Sequence, residues 1–488
     1  MNNNFYITTT LPYVNDKPHI GFALEIVQAD VLARYKTLAG SKVFFNFGTD
    51  EHGQKIYKKA IEEKKEPQVY VNEYASRFDA LKNALNLSYN NFIRTTDPHH
   101  KKAAQELWKL CTQNGFIEKG IYKAKYCVGC ELEKQDSELI DGRCPLHPNL
   151  EIEYIDEDNY FFKFSEFRKK LLGLYNKYPD FVVPQHRLKE ITNFVSGGLQ
   201  DFSVSRLKEK MPWGIEVPGD SKHVMYVWFD ALTNYISALG WPDDKEKFKK
   251  FWGTIGKPNA IQVAGKDNLR QQSAMWQAML MAGNLPPSRQ IFIHGFITSG
   301  GQKMSKSLGN VVDPFKYVKE YGTDALRYYL LAKISPSEDS DFTKEKFEES
   351  YNADLANGLG NLVARVAKLC ERITLSDNPT VNKLVTDIPT SFGAIPTLYK
   401  KALENYNFDE AIKLIWNDIK ITDQYINEQQ PWKLGKSELL SVMQVVVDSI
   451  RYLNIKLQPF LPATAEKIET QFKGPKIKSD KPLFPRLV

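Results

Sequence analysis

NFYITTTLPYVNDKPHIGFALEIVQADVLARYKTLAGSKVFFNFGTD, residues 4–50, is the stretch that decides the fold. Its first eight residues make a strand-like run that ends near Pro12, and residues 21–40 carry a helical pattern closed by Gly40. Residues 42–50 form a second short apolar run. Strand, helix and strand within about 45 residues make a βαβ unit, the building block of a parallel sheet covered by helices. Similar runs return at NAIQVAG (259–265) and IFIHGFI (291–297). Residues 116–222 differ: they hold a cysteine cluster and several Pro and Gly breaks, and read as an insertion that splits the sheet domain. From about residue 345 no strand pattern is visible. Leu355, Leu359, Leu362, Val366 and Leu369 recur at helical spacing, and FDEAIKLIWNDIKITDQYI behaves alike, so this part reads as an all-helical bundle.

The composition narrows the class. At 488 residues, two to four domains are expected. The net charge of +6 comes from 65 basic and 59 acidic residues that are mostly interspersed, a weak lean toward polyanionic partners. The first residues show no basic segment followed by an apolar one, so no secretory signal is read there. No apolar run approaches the ~18 residues of a membrane helix. Five cysteines in this setting read as cytosolic thiols or metal ligands, not a disulfide framework, and a cytoplasmic location is expected.

Cys127 and Cys130 form a C-x-x-C, and Cys144 and His147 a C-x-x-H. Two such knuckles can present four soft ligands as a tetrahedron, the arrangement zinc prefers. With all four positions filled by protein, the expected role is structural. Unpaired thiols that merely lie close are the competing reading. Cys111 and Cys370 fall in helical patterns and read as small core residues.

The segment FIHGFITSGGQKMSKSLGNVVDP sets Lys303 and Lys306 among glycines and serines. Glycines let a loop approach a ligand, and paired ammonium groups can follow charge that builds on a phosphate. Such a loop is common on surfaces, so its neighbours matter. His19-Ile20-Gly21 lies between a strand end and a helix start, where the helix dipole favours an anion. Gly21 would let an adenine ring lie on the backbone, and His19 could donate to a phosphate.

PHIG at 18–21 followed by KMSKS at 303–307 resembles the paired signature of class I aminoacyl-tRNA synthetases. GTDEHGQKI at 48–56 and EQQPWK ending at Lys433 resemble the methionyl-tRNA synthetase family in particular, and the similarity runs over essentially the whole chain in the right order. The resemblance implies a Rossmann-like α/β catalytic domain in two halves, residues 1–115 and 223–344, the second carrying the KMSKS loop. It implies a connective insertion with a zinc knuckle at 116–222, and an α-helical anticodon-binding domain at 345–488.

It further implies that methionine's carboxylate attacks the α-phosphate of ATP, giving methionyl-adenylate and pyrophosphate, and that the terminal ribose of tRNA(Met), the initiator included, then takes the acyl group. No protein nucleophile is needed; positioning and neutralisation of phosphate charge, partly by Mg²⁺, carry both steps. By resemblance His19 and Gly21 meet ATP, Lys306 with Lys303 clamps the departing pyrophosphate, and Gly265 and Asp267 in AGKDN meet the ribose. Asp50 would pair with the ammonium of methionine, a helix N-cap being its competing reading. Leu11, Tyr13, Trp228, Ala231 and Tyr235 match the wall of the side-chain pocket, although YVWFDALTNY would otherwise pass as core packing. Asn361 and Arg365, four apart on one helix face, and Trp432 would read the anticodon; a core aromatic is the competing reading for Trp432. One structural Zn²⁺ is expected, together with a monomer, since no appended oligonucleotide-binding domain is read.

Four departures accompany the match. Phe22 stands where a second histidine is usual, Leu232 where a proline is usual, and Asn268 and Gln272 where an aliphatic residue and a histidine are more frequent. The expectation for Phe22 is compensation by neighbouring donors such as Lys17 or backbone N–H groups. The rival readings are another class I synthetase, a tRNA-binding paralogue without activity, and a nucleotidyltransferase that uses no tRNA.

Overall fold

The computed structural model describes residues 4–130, 132–304, 309–375 and 397–487. Its centre is a six-stranded sheet made of β1 (Asn4–Thr9), β2 (Lys42–Thr49), β3 (Asn91–Arg94), β4 (Val182–Val183), β5 (Ala260–Gly265) and β6 (Gln290–His294). The order is β3-β2-β1-β5-β6-β4, and every neighbouring pair is parallel. In the register at the centre, Ile7 of β1 lies between Ile261 of β5 and Phe45 of β2. Strands covered on both faces read as apolar runs instead of alternations, and this is why β1, β2 and β5 are recognisable as such runs.

Helix α1 (Ile20–Leu38) makes the crossover from β1 to β2 and ends before Gly40, whose φ of +82° suits only glycine without strain. Around the sheet stand α2 (Pro98–Gln113), α3 (Val227–Leu232) and α4 (Thr323–Ala332). The stretch 116–222 does not stay clear of the sheet. It begins with a long antiparallel pair, Ile117–Cys127 with Glu153–Phe162, and then sends β4 back to the sheet edge, Val182 opposite Ile291. A two-residue edge strand leaves no periodicity to read.

The C-terminal part is helical: α5 (Asn361–Cys370), α6 (Phe408–Gln429), α7 (Lys436–Leu457) and α8 (Pro462–Phe472). One apolar core runs through both parts, from Phe5 and Val31 to Leu359, Ile415 and Leu453. Within it Arg327 of α4 is fully buried. It donates to the carbonyls of Leu85 (3.1 Å), Pro459 (2.9 Å) and Phe460 (2.7 Å), and pairs with Asp30 of α1 at 2.8 Å. Burial would raise the Asp30 carboxyl, but Arg327 and Arg34 outweigh it and hold the acid below the usual carboxylate range. Such a buried charge persists because its donors and its counter-charge are satisfied.

Candidate functional site

Ligands of open parallel sheets sit beyond the carboxyl ends of the strands, at the point where the strand order reverses. Here the order reverses between β1 and β5. His19, the N-cap of α1, stands at this place, with its Nδ1 accepting the Gly21 N–H at 3.1 Å. With Nδ1 occupied as an acceptor, the neutral ring carries its proton on Nε2. Burial brings the imidazole down to about 4, with Asp16 opposing weakly, so the ring is neutral at physiological pH. A helix N-terminus also disfavours a positive charge. No acidic residue lies in the first turn of α1.

Phe22 fills the position next to His19 with an apolar ring. The two ring centroids are 4.3 Å apart, and Phe22 stands edge-on to the buried Phe78 at 5.4 Å. Lys17 is exposed, and its backbone N–H donates to Asp16 at 2.6 Å. Behind this turn, Glu25 of α1 accepts from the Thr10 backbone N–H (2.8 Å) and from the Thr10 hydroxyl (2.5 Å). Its other oxygen meets His294 Nε2 at 3.0 Å, while His294 Nδ1–H donates to the Gly295 carbonyl at 2.8 Å. Burial lowers the His294 imidazole, but Glu25 and that carbonyl outweigh it and raise the ring above the ordinary histidine value. Gly265, at the end of β5, lies against Asp267 and His294: a Cβ there would meet Asp267 Oδ1 at 2.8 Å and His294 Cε1 at 3.5 Å. Asp267 itself is exposed.

The residues expected to wall the side-chain pocket come from the ends of β1 and β2, from α3 and from the turn after it. Asp50 follows β2 directly and is 2% exposed; its N–H donates to Pro12 O (3.0 Å), and its carbonyl accepts from Val14 N (3.2 Å). This ladder joins the Leu11–Tyr13 segment to the end of β2. Tyr13 and Trp228 meet edge to face, centroids 6.4 Å apart. Leu11 is half-buried, and Ala231 and Tyr235 are buried. Leu232 is buried too. Gln272 sits in a π-helical turn, Gln271–Met275, and its Oε1 accepts from Gln262 Nε2 at 2.8 Å. The Tyr235 hydroxyl faces Gln272, Gln262 and Asn234, and burial pushes its phenol far above the ordinary tyrosine value. Asn268 is half-buried and donates to Asp267 at 3.2 Å.

The lysine-bearing segment follows a tight hairpin. Ile297–Ser299 pairs with Gln302–Lys303 across Gly300 and Gly301, whose φ values of +62° and +71° a two-residue turn of this kind demands. Asp341 accepts from Gly301 N and Thr298 Oγ1, both at 2.8 Å. Lys306 and the side chain of Lys303 lie outside the described residues. Beyond them, the Val312 carbonyl accepts the Ile20 N–H at 3.0 Å, so the chain that follows Gly309 meets the start of α1.

In the insertion, the ligand atoms of Cys127, Cys130, Cys144 and His147 all lie within 4.8 Å of one another. Cys130 Sγ is 3.5 Å from Cys144 Sγ and 3.2 Å from His147 Nδ1. A tetrahedral zinc with bonds of about 2.3 Å to sulfur separates its ligands by amounts close to these. Gly129 lets the His147 ring close in, since a Cβ there would lie 2.5 Å from its Cγ. The donor set therefore fits a metal with no open coordination position.

A third group lies on the helical part. Asn361 is exposed on α5, and Arg365, one turn on, places its guanidinium carbon 5.3 Å from the ring centre of Trp432. Arg365 also donates to Asp423 (2.9 Å) and Asn427 (2.7 Å) of α6. Trp432 is 47% exposed, so it is not a core aromatic.

Sequence reading did not single out Glu25, His294, Gln262, or the buried group formed by His52, His100 and Asp230. Glu25 and His294, and Asp230 with its two histidines, are partners more than a hundred residues apart, and no local spacing announces them. The only hint was His52 itself, two residues beyond Asp50.

The chain matches the family "tRNA synthetases class I (M)" over residues 5–151 and 138–367, and "Anticodon-binding domain of tRNA ligase" over residues 396–486. It is 42% identical over 482 residues to the methionine–tRNA ligase of Nostoc sp. (strain PCC 7120), covering 96% of this chain and 89% of that one. It is 39% identical to the methionine–tRNA ligase of Rickettsia bellii, covering 96% and 93%. Among solved structures, Mycobacterium tuberculosis methionyl-tRNA synthetase in complex with methionyl-adenylate superposes with a TM-score of 0.89 at 32% identity, covering 99% of this chain and all of that one.

Proposed function

The chain belongs to the methionine–tRNA ligases of the class I tRNA synthetases, and we infer that it activates methionine with ATP and transfers it to the 3′ end of tRNA(Met), the initiator included. The observation that supports this most is the arrangement around β1. His19, Gly21 and Gly265 stand at the switch point, with Asp50 past the end of β2 and Tyr13 against Trp228. A carboxylate nucleophile from methionine and the phosphates of ATP can meet between them.

In this reading the His19 Nε2–H donates to a phosphate oxygen, and its neutral state keeps it a donor across the physiological range. Removing one such donor costs about 3 kcal/mol, on the order of a hundredfold in rate. Gly265 opens the backbone to the ribose beside Asp267. Lys303 and Lys306 follow the charge leaving on pyrophosphate, and Mg²⁺, arriving with ATP, neutralises part of the same charge. Asp50 holds the ammonium of methionine, and Leu11, Tyr13, Trp228, Ala231 and Tyr235 enclose its side chain. Aromatic walls suit a polarisable thioether. Asn361, Arg365 and Trp432 read the anticodon, Trp432 offering an exposed face for a base.

The proposal extends to a zinc ion on Cys127, Cys130, Cys144 and His147, holding the knuckle in shape, and to the four-part division at residues 115, 222 and 344. It also extends to a monomer in the cytoplasm. Both recognition clusters are carried by one chain with a shared apolar core, which supports a single working copy, and no described helix is long and apolar enough to cross a membrane. Amino-acid-dependent ATP–pyrophosphate exchange with a panel of amino acids tests the central claim. Methionine alone should support exchange; exchange with leucine but not methionine, or with none, would sink it.

A further inference from the structure

Asp230 is completely buried, and two histidines from distant parts of the chain close on its carboxylate. His52 Nδ1 stands 2.6 Å from Oδ2, and His100 Nε2 stands 2.8 Å from Oδ1. A carboxylate only accepts, so both rings donate an N–H to it. His100 reaches Ser237 Oγ through its other nitrogen at 2.8 Å. Burial raises an acid, but the two imidazoles overturn this and hold Asp230 down at about 2. His100 is 0% and His52 2% exposed, so the group sits out of water, where losing one partner would strand the others.

The three residues come from three elements, two of which, α2 and α3, also meet through the rings of Trp108 and Phe229 at 5.2 Å. His52 lies just past β2, two residues after Asp50. Asp230 lies in α3 between Trp228 and Ala231, and His100 anchors the pair to α2. We propose that His52, Asp230 and His100 are positioning residues that set the span between the Asp50 carboxylate and the side-chain wall on α3. This rests on the reading of that pocket as the methionine site. The clamp touches neither substrate. Without it, α3 can shift against the end of β2, which loosens methionine and leaves ATP, at the His19 turn and Gly265, unaffected.

The test is ATP–pyrophosphate exchange with methionine and ATP varied separately. His52→Leu and His100→Leu remove the donors. His52→Asn restores an N–H where Nδ1–H stood, and His100→Gln restores one where Nε2–H stood. The leucine variants should raise the KM for methionine about tenfold or more with the KM for ATP within about twofold, since small displacements of positioning groups cost this much. The amide variants should recover most of the loss. An unchanged KM for methionine, an equal rise for both substrates, or no recovery in the amide variants overturns the proposal. Should the leucine variants not fold, ¹⁵N-histidine NMR of the wild-type protein decides. The low-field ring protons of His52 and His100 should move when methionine binds and stay when ATP alone binds; no movement with methionine overturns the proposal. A wild-type protein with no methionine-dependent exchange would refute the functional reading itself.

Discussion

The imidazole of His19 lies against the ring of Phe22, centroids 4.3 Å apart and planes inclined by 33°. The Gly21 N–H holds one ring nitrogen, and Phe22 supports one ring face. Phe22 is thus an apolar support for the neighbouring donor, in place of a second donor. Lys17, one of the neighbouring donors expected to compensate, is exposed on the same turn.

Phe22→Ala should therefore slow methionine-dependent exchange, because His19 loses its support, and cost about 2 kcal/mol, below the range for a fully buried ring. Phe22→His should change the exchange rate by less than about tenfold. A rise of about a hundredfold with histidine would mean that the natural site is crippled, and steady-state exchange kinetics read the difference.

The depressed His19 imidazole has a signed pH consequence. Its folded value of about 4 lies below the ~6.5 of an unfolded histidine, so the unfolded chain binds the proton first. The contribution to stability is complete above about pH 6.5 and is lost as the pH falls toward 4. Urea melts at pH 7 and pH 5 should show a larger loss for the wild-type protein than for His19→Asn, which has no imidazole to titrate. Equal losses would contradict the neutral, half-buried ring.

Gly129→Ala should disturb the metal knuckle without touching a ligand, because the added methyl falls on the His147 ring. Elemental analysis should find about one zinc per wild-type chain and less than about half in the variant, since affinity depends on the preformed ligand set. A wild-type protein holding less than about half an equivalent when freshly prepared would refute the zinc assignment.

Trp432→Ala should act on the tRNA step. A stacked base is worth about 1–3 kcal/mol, so the ratio of aminoacylation to exchange should fall by about 10- to 100-fold. Arg365→Ala should lower the same ratio, and it frees Asp423 and Asn427 from their shared partner. An unchanged ratio in both variants would remove this cluster from tRNA recognition.

What the sequence revealed followed the range of each signal. The βαβ unit was legible because a covered parallel strand and a crossover helix both write their pattern within a few residues. The metal cluster was legible because its ligands come in two short knuckles. β4 was not, since Val182–Val183 gains its identity only by pairing with Ile291 and Phe292. Asp230, His52 and His100 were opaque for the same reason on a larger scale: the partners lie 178 and 130 residues apart in the chain. Glu25 passes for a polar helix residue until the fold brings His294 against it. For Trp432 the residue alone favoured a core aromatic and only the resemblance favoured an exposed face; its 47% exposure separates the two.

Arg327 carries one more consequence, which concerns descent. Its guanidinium ties Asp30, in the helix that begins at His19, to the carbonyls of Pro459 and Phe460 in the bundle that carries Trp432. Domains joined by such a buried tie cannot be exchanged between genes like independent cassettes. A recombinant bundle would have to present the same two carbonyls to the same arginine, or leave its donors stranded at a cost of about 1–3 kcal/mol each. The helical bundle and the sheet that carries His19 are therefore constrained to change together, as one unit of selection.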